Sequence, residues 1–315
     1  MARQWPFLSV AYPDVDADSA VRFLCEDMNG AAGLFCQTIG PSQWLAGLCK
    51  LDWDSNHFSM PVAEIRPLMN NGKQLTPESL AAGQSLTQRL IREADKRGIA
   101  HLSTTVYAGD TPTQLCLEKA GFFMADTLVT HTLRLEKCSP QVSSPAIRDA
   151  LESDREQLAK ISADCFSNRE FNINRFNSDM TFSPDRVREL YRLWLLNSIS
   201  GALADRVLVF VEAGQPLGFI TIKMPSAKDK SRGRSIAHIP LNAVHPEHRG
   251  RGIYKQLVAA AISELRGTVA QVDIKTQLPN YAVHKTWSAL GARITQVVHR
   301  FHLPLLSKSR DLERE

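Results

Sequence analysis

Apolar residues recur at helical spacing in LAAGQSLTQRLIREADKRG (80–98) and again in IYKQLVAAAISELRG (253–267), where Ile253, Leu257, Ala260 and Ala261 share one face. Each helix is followed by a β-rich run, IAHLSTTV (99–106) after the first and VAQVDIKT (269–276) after the second. Upstream of the second helix, VLVFVEAG (207–214) and PLGFITIKM (216–224) read as strands joined by a Gly-Gln hairpin, and IAHIPLNAVHP (236–246) reads as one further strand. The second half therefore runs helix, strand, strand, strand, helix, strand, helix, strand. That order predicts an α+β fold, a mixed and largely antiparallel sheet flanked by helices.

The two halves also resemble each other. Displacing the chain by 170 positions lays IAHLSTTV on VAQVDIKT, Asp110 on Asn280, Gly121 on Gly291 and THTLRL (130–135) on RFHLPL (300–305), without a gap. Each copy then reads strand, helix, glycine turn, strand. The Ser/Pro-rich stretch EKCSPQVSSPAI (136–147) is the natural linker, which predicts an N-terminal domain over 1–140 and a second over 146–306. Residues 307–315 are polar and read as a flexible tail, and the basic stretch 225–235 reads as a loop.

Composition narrows the function. Thirty-seven lysines and arginines against 33 acidic residues leave a net charge of +4, too small an excess for nucleic acid to be the main partner. It suits an enzyme with a local basic site for an anionic ligand. The cysteines Cys25, Cys36, Cys49, Cys116, Cys138 and Cys165 show no CxxC pair and no metal spacing, so they read as reduced thiols of a cytoplasmic protein that holds no metal. The N-terminal stretch, broken by Pro13 and two aspartates, does not read as a signal peptide, and no run approaches the roughly 18 apolar residues of a membrane span.

The chemistry concentrates in LNAVHPEHRGRGIYKQLVAAAI (241–262). A strand ending at Val244 is followed by Arg249, Gly250, Arg251 and Gly252, and then by the helix from Ile253. Glycines let successive N–H groups converge, the helix start adds its own free donors, and the arginines add charge: a cradle for a pyrophosphate. LMNNGKQLTPES (68–79), ahead of the first helix, has one glycine and no arginine, so the N-terminal copy is expected to bind no cofactor.

This segment resembles the acetyl-CoA signature of the GNAT superfamily, Arg/Gln-x-x-Gly-x-Gly/Ala, with Arg249 and Gly252 in place and Tyr254 where a small residue is usual. NYAVHKTWSALGA (280–292) resembles the second family element, with Asn280 and Gly291 matching, Val283 for an alanine and Trp287 for a tyrosine. The resemblance implies a GNAT fold with a degenerate N-terminal half, and an N-acetyltransferase using acetyl-CoA as co-substrate. Ala243, Val244, Arg249, Gly250, Arg251, Gly252, Ile253, Tyr254, Asn280 and Trp287 would bind it. The family tyrosine is thought to protonate the leaving thiolate. Indole has no usable proton, so His284, three residues earlier, becomes a candidate acid, with Tyr281 and Tyr254 as others. A regular strand would put His238 and Asn242 on one face. His238 is then a candidate base, and a backbone N–H near Asn242–Val244 would stabilise the oxyanion.

Two further stretches resemble the bacterial acetyltransferases that act on dTDP-fucosamine: LDWDSNHFSMPVAEI (51–65), and SNREFNINRF (167–176) with ELYRLWLLNSI (189–199). That narrower resemblance implies a nucleotide-linked amino sugar as acceptor, held by Arg169, Tyr191, Trp194 and Asn197, and it leaves room for a homodimer. A peptide, protein or antibiotic amine, and a CoA-binding scaffold without activity, remain alternatives.

Overall fold

The computed structural model describes residues 4–12, 15–28, 33–72, 74–139, 141, 143–169 and 172–305. The expected tail 307–315, Pro140 and Val142 of the linker, and Glu170 and Phe171 lie outside them.

The chain forms two compact units, Met1–Thr127 with Gln296–Glu315, and Leu128–Thr295. A single cut at 136–147 does not separate them: the chain passes from one unit to the other within a strand, twice. The linker expected there holds a short 3-10 turn, Leu135–Lys137, and leads into a strand at Ile147–Asp149.

In the first unit, α1 (Leu8–Ala11) and α2 (Ala17–Asp27) precede β1 (Leu34–Ile39), β2 (Ser42–Lys50), α3 (Asp52–Phe58) and β3 (Val62–Asn70). Then come α4 (Pro77–Lys96), β4 (His101–Tyr107), α5 (Thr111–Lys119) and the start of β5 (Phe123–Arg134). β1, β2 and β3 form an antiparallel meander. The α4 crossover makes β4 parallel to β3. Ala82, Leu86, Leu90 and Ala94 line one side of α4 and are fully buried against Trp44, Ile65 and Leu102. Gly83 is required there, because a Cβ would sit 2.5 Å from Cys116 Sγ and 2.7 Å from the Trp44 ring.

The second unit contains β6 (Ile147–Asp149), α6 (Arg155–Ser167), α7 (Pro184–Ile199), β7 (Arg206–Glu212), β8 (Gln215–Ile222), α8 (Ala227–Ser231) and β9 (Ile236–Ile239). β10 (Asn242–Val244), α9 (Ile253–Leu265), β11 (Gln271–Gln277), α10 (Tyr281–Ala289) and the start of β12 (Arg293–Pro304) complete it. The expected hairpin is present, turning through Ala213 and Gly214, both at positive φ. The basic stretch 225–235 is not wholly loop: Ser226 and Asp229 form a capping box that starts α8.

One strand reading is corrected. Residues 236–246 are two strands, not one. β9 pairs with β11 in parallel, whereas β10 pairs with β8 antiparallel. Pro240 has no N–H to continue a ladder, and Leu241 turns its N–H to Thr221 Oγ1 at 2.9 Å. The chain changes sheets at this step, and β10 becomes an edge strand.

The internal repeat is real at the level of elements. β4, α5 and β5 have bounds that precede those of β11, α10 and β12 by 170 residues at both ends. The pairing of the closing strands is exchanged: residues 128–134 of β5 lie beside β11, and residues 298–304 of β12 lie beside β4.

Candidate active site

The second unit contains a cavity of about 640 Å³. One wall is β10 with the loop after it: Asn242, Ala243, Val244, His248, Arg249, Gly250 and Gly252. The first turn of α9 adds Ile253, Tyr254 and Lys255, and α10 adds Asn280, Val283, Lys285 and Thr286. Among the described residues, no aspartate or glutamate lines it. Three cations do.

The loop explains itself locally. Gly250 and Gly252 have φ of 76° and 77°, a region that costs a side chain strain. Gly252 is the N-cap of α9 and offers no capping side chain, so the free N–H groups of the helix start remain open to a ligand. Arg249 is steadied by its Nε donating to Val244 O at 3.4 Å and by Cys165 Sγ at 3.5 Å. Gly218 of β8 lets β10 approach: a Cβ there would lie 2.9 Å from Ala243 O.

Most of the expected cofactor residues therefore meet in one place, but two do not line it. Arg251 is held away by a bidentate pair with Glu212 at 2.7 and 2.9 Å and donates to His248 Nδ1 at 2.8 Å. Trp287 is 0% exposed and belongs to the core with Leu257, Ala261 and Ile274. Its Nε1–H donates to Tyr254 Oη at 2.9 Å. Tyr254, bulky where a small residue was expected, neither crowds the loop nor points to solvent; it lies inward against α10.

The three polar candidates part company. Asn242 lines the cavity. His238 does not, because the break at Pro240 ends the shared face. It stands on β9 opposite Asp273. Burial holds its pKa below the ordinary value, against the opposing pull of Asp273 and Asp229. His284 is turned from the cavity and fully engaged. Its Nε2 donates to Leu278 O at 3.1 Å, which leaves Nδ1 to accept from His131 Nε2 at 2.7 Å. Gln114 makes the equivalent bond to Ala108 O in the first unit, at 2.9 Å. His284 thus braces a loop, and the acid role expected of it finds no geometric support. Tyr281 is 76% exposed and is not a lining residue.

None of the four acceptor candidates lines this cavity. Arg169 donates to Phe182 O at 2.9 Å. Tyr191 is buried, its ring stacked on Phe166 at 4.8 Å and on Trp194 at 6.0 Å. Trp194 is half-buried and Asn197 exposed.

Other lining residues carried little sequence signal. Cys165 and Phe166 at the end of α6, and Asn172 and Ile173 after it, are placed by long-range folding. The side-chain amides of Asn172, Asn174 and Asn177 donate to the carbonyls of Cys165 and Phe166. Lys255 and Lys285 were findable: each is a cation in a helix that follows a motif residue.

Residues 161–292 match the acetyltransferase (GNAT) family model, less than half of the chain. No curated protein matches. Among solved structures, the chain is similar to a GCN5-related N-acetyltransferase from Sphaerobacter thermophilus, with TM-score 0.58, 14% identity, and 96% of this chain and 90% of that one covered. It is also similar to a conserved protein of unknown function from Staphylococcus epidermidis, with TM-score 0.57, 12% identity, and 83% and 91% covered. A tandem GNAT protein from the clavulanic acid biosynthesis pathway has TM-score 0.50 at 14% identity, with 96% and 93% covered. The fold is the GNAT fold, and residues 161–292 are the segment that matches the acetyltransferase model.

Proposed function

We propose that this chain transfers an acetyl group from acetyl-CoA to a primary amine, with the cofactor held in the cavity of the second unit. The observation that carries the reading is the uncapped start of α9 behind Gly250 and Gly252, beside three cations and, among the described residues, no carboxylate. Arg249, Lys255 and Lys285 oppose the charge of phosphates. The open edge of β10 offers backbone donors and acceptors to an extended amide-bearing arm. Bound acetyl-CoA supplies the acetyl group as a thioester. The amine nitrogen bonds to the acetyl carbon while the C–S bond breaks with its electron pair left on sulfur, and the nitrogen gives one proton to water. Backbone N–H groups near Asn242–Val244 steady the acetyl oxygen.

For the acceptor we propose the amino group of a nucleotide-linked deoxy-amino sugar. With Arg169 and Tyr191 committed to the packing around α6 and α7, its contacts on α7 fall to Trp194 and Asn197, where an aromatic face and an amide suit a sugar ring. The test is thiol release from acetyl-CoA with dTDP- and UDP-amino sugars, peptides, antibiotics and polyamines as acceptors. Turnover with the nucleotide sugars is expected, and Trp194→Ala should lose about tenfold in acceptor use with CoA affinity unchanged. Turnover confined to peptides, antibiotics or polyamines sinks the sugar reading, and CoA binding without turnover on any amine makes the chain a binding protein.

A further inference from the structure

Two arginines flank Gly250, and the fold treats them differently. Arg251 donates to both carboxylate oxygens of Glu212, so its charge is balanced within the protein. Arg249, which lines the cavity, meets two neutral acceptors instead. Its Nε donates to Val244 O at 3.4 Å and its Nη2 to Cys165 Sγ at 3.5 Å. These two nitrogens share one edge of the planar guanidinium, so the protein holds that edge and the Nη1–Nη2 end of the fork remains. Cys165 also donates its S–H to Val244 O, at 3.4 Å. Thiol, carbonyl and guanidinium therefore close a triangle in which each contact orients the other two.

The triangle joins two elements that the sequence separates by about eighty positions, the end of α6 and the end of β10. On the β10 side, Thr221 N donates to Leu241 O and His245 N to Leu217 O, so residues 241, 243 and 245 turn toward β8. Val244 O consequently lies on the open edge, where it can be reached. On the α6 side, Cys165 is 6% exposed, and the Asn172 amide donates to its carbonyl at 3.1 Å. The protonation of the sulfur decides what it can do. Burial pushes the Cys165 thiol above its ordinary value, and Arg249 offsets only part of that, so the group is a neutral thiol at neutral pH. A thiol can donate to the carbonyl and accept from the guanidinium at once, and it cancels none of the arginine's charge.

We propose that Cys165 is a positioning residue for anion binding: it fixes the Nε–Nη2 edge of Arg249 against Val244 O and so presents the Nη1–Nη2 end, still fully charged, for a bidentate hold on a phosphate of CoA. This role rests on the acetyl-CoA reading above. It also separates the two arginines of the glycine turn. Arg251, paired with Glu212, braces the loop, whereas Arg249, held by sulfur and a carbonyl, is left to meet the ligand. An aspartate in place of Cys165 could hold the same edge but would cancel the charge. An alanine would keep the charge and leave the side chain to be ordered by the ligand, at a cost in affinity.

The test is a double-mutant cycle on CoA affinity, measured by calorimetry on the full chain, and it needs no acceptor. Arg249→Ala should weaken binding about thirtyfold, as expected for loss of a charged hydrogen-bonding pair. Cys165→Ala should weaken it about fivefold, and Cys165→Ser, which keeps a donor and an acceptor, should recover most of that. In the Arg249→Ala background, Cys165→Ala should cost less than about twofold, because no guanidinium is left to position. Cys165→Val, which fills the site but makes neither bond, replaces the alanine arm if Cys165→Ala does not fold. Equal losses in the two backgrounds would make Cys165 a packing residue and overturn the proposal. Unchanged affinity in Cys165→Ala, or a loss in Cys165→Ser as large as in Cys165→Ala, overturns it too. Failure of the wild type to bind CoA overturns the acetyl-CoA reading and this role together, whereas a wild type that binds, with additive losses in the cycle, overturns this role alone.

Discussion

β3–α4–β4–α5 in the first unit and β9–α9–β11–α10 in the second are the same supersecondary run, and both open at the same point. Parallel pairing ends at Thr104 in one and at Ile274, 170 residues later, in the other. Beyond that point the second unit keeps a cavity, whereas buried polar side chains meet in the first. Asn70, Asp110 and Thr113 close the first: Asn70 Nδ2 donates to Asp110 Oδ1 and Thr113 Oγ1, both at 3.0 Å. Tyr107, the counterpart of the cavity-lining Gln277, is covered by Phe7 stacked at 5.1 Å and by Trp5 at 5.6 Å. The helix starts differ in the same sense. Thr76 caps α4 with its own hydroxyl on Ser79 N, whereas Gly252 leaves α9 bare. The first unit is closed by ordinary means: a cap, a polar plug and an aromatic cover. None of them alters the order of elements.

The largest expected effect lies at the bare helix start. Gly252→Val should abolish CoA binding in calorimetry, where the wild type should take up one CoA per chain. Apart from its chain neighbours, no atom of the described residues lies within 4 Å of a Cβ at Gly252. The loss therefore comes from φ of 77°, which a β-branched residue resists at about 1–3 kcal/mol, and from the methyls entering the space left for phosphate. Unchanged affinity would remove the phosphate loop from the argument. Uptake of two CoA per chain by the wild type would break the contrast between the units.

The next effect tests the plug. Asn70, Asp110 and Thr113 are all buried. Asn70→Ala strips Asp110 of its amide donor and leaves a buried carboxyl, already raised in pKa by desolvation, with fewer partners. A loss of about 2–3 kcal/mol in denaturant unfolding is expected, with CoA affinity unchanged. If the variant gains a second CoA site, the plug alone is what separates the two units.

The periodicity of α4 and α9, the hairpin at Gly214 and the 170-residue repeat were legible because local pattern fixes them. The glycine turn ahead of α9 was legible for the same reason: its glycines, arginines and helix start are contiguous. Three features were not. The split of 236–246 depends on Thr221 capturing Leu241 N–H, a contact across 20 residues. The exchange of β5 and β12 cannot be read from strand content, since either partner satisfies the same pattern. The roles of His284, Arg251 and Tyr254 depend on His131, Glu212 and Trp287, each more than 30 positions away. A motif can name the residues of a loop, but not which of its side chains the rest of the fold has already engaged.

The smallest expected effect concerns that His131–His284 pair, and it also separates the units. The counterpart of His131 in the repeat is Phe301, which is 1% exposed, as His131 is. His131 Nε2 donates to His284, so its Nδ1 must carry a lone pair, and that atom is buried with no hydrogen-bond partner. Protonation would put a charge there, which is why burial first, and His284 second, hold its pKa below the ordinary value. The unfolded chain takes up this proton at about pH 6.5, while the folded chain resists it. Below that value the unfolded state binds more protons, so the stability contributed by the neutral pair is present above about pH 6.5 and is lost as pH falls through it. His131→Phe, which copies the first unit, should cost about 1 kcal/mol at pH 7.5 through the lost hydrogen bond. The gap to the wild type should narrow toward about pH 5, because the variant has no such proton to resist. Denaturant midpoints at the two pH values measure it. A gap that stays constant or widens would mean that His131 is protonated in the folded chain, and that the pair is an ion-stabilised contact and not a neutral brace.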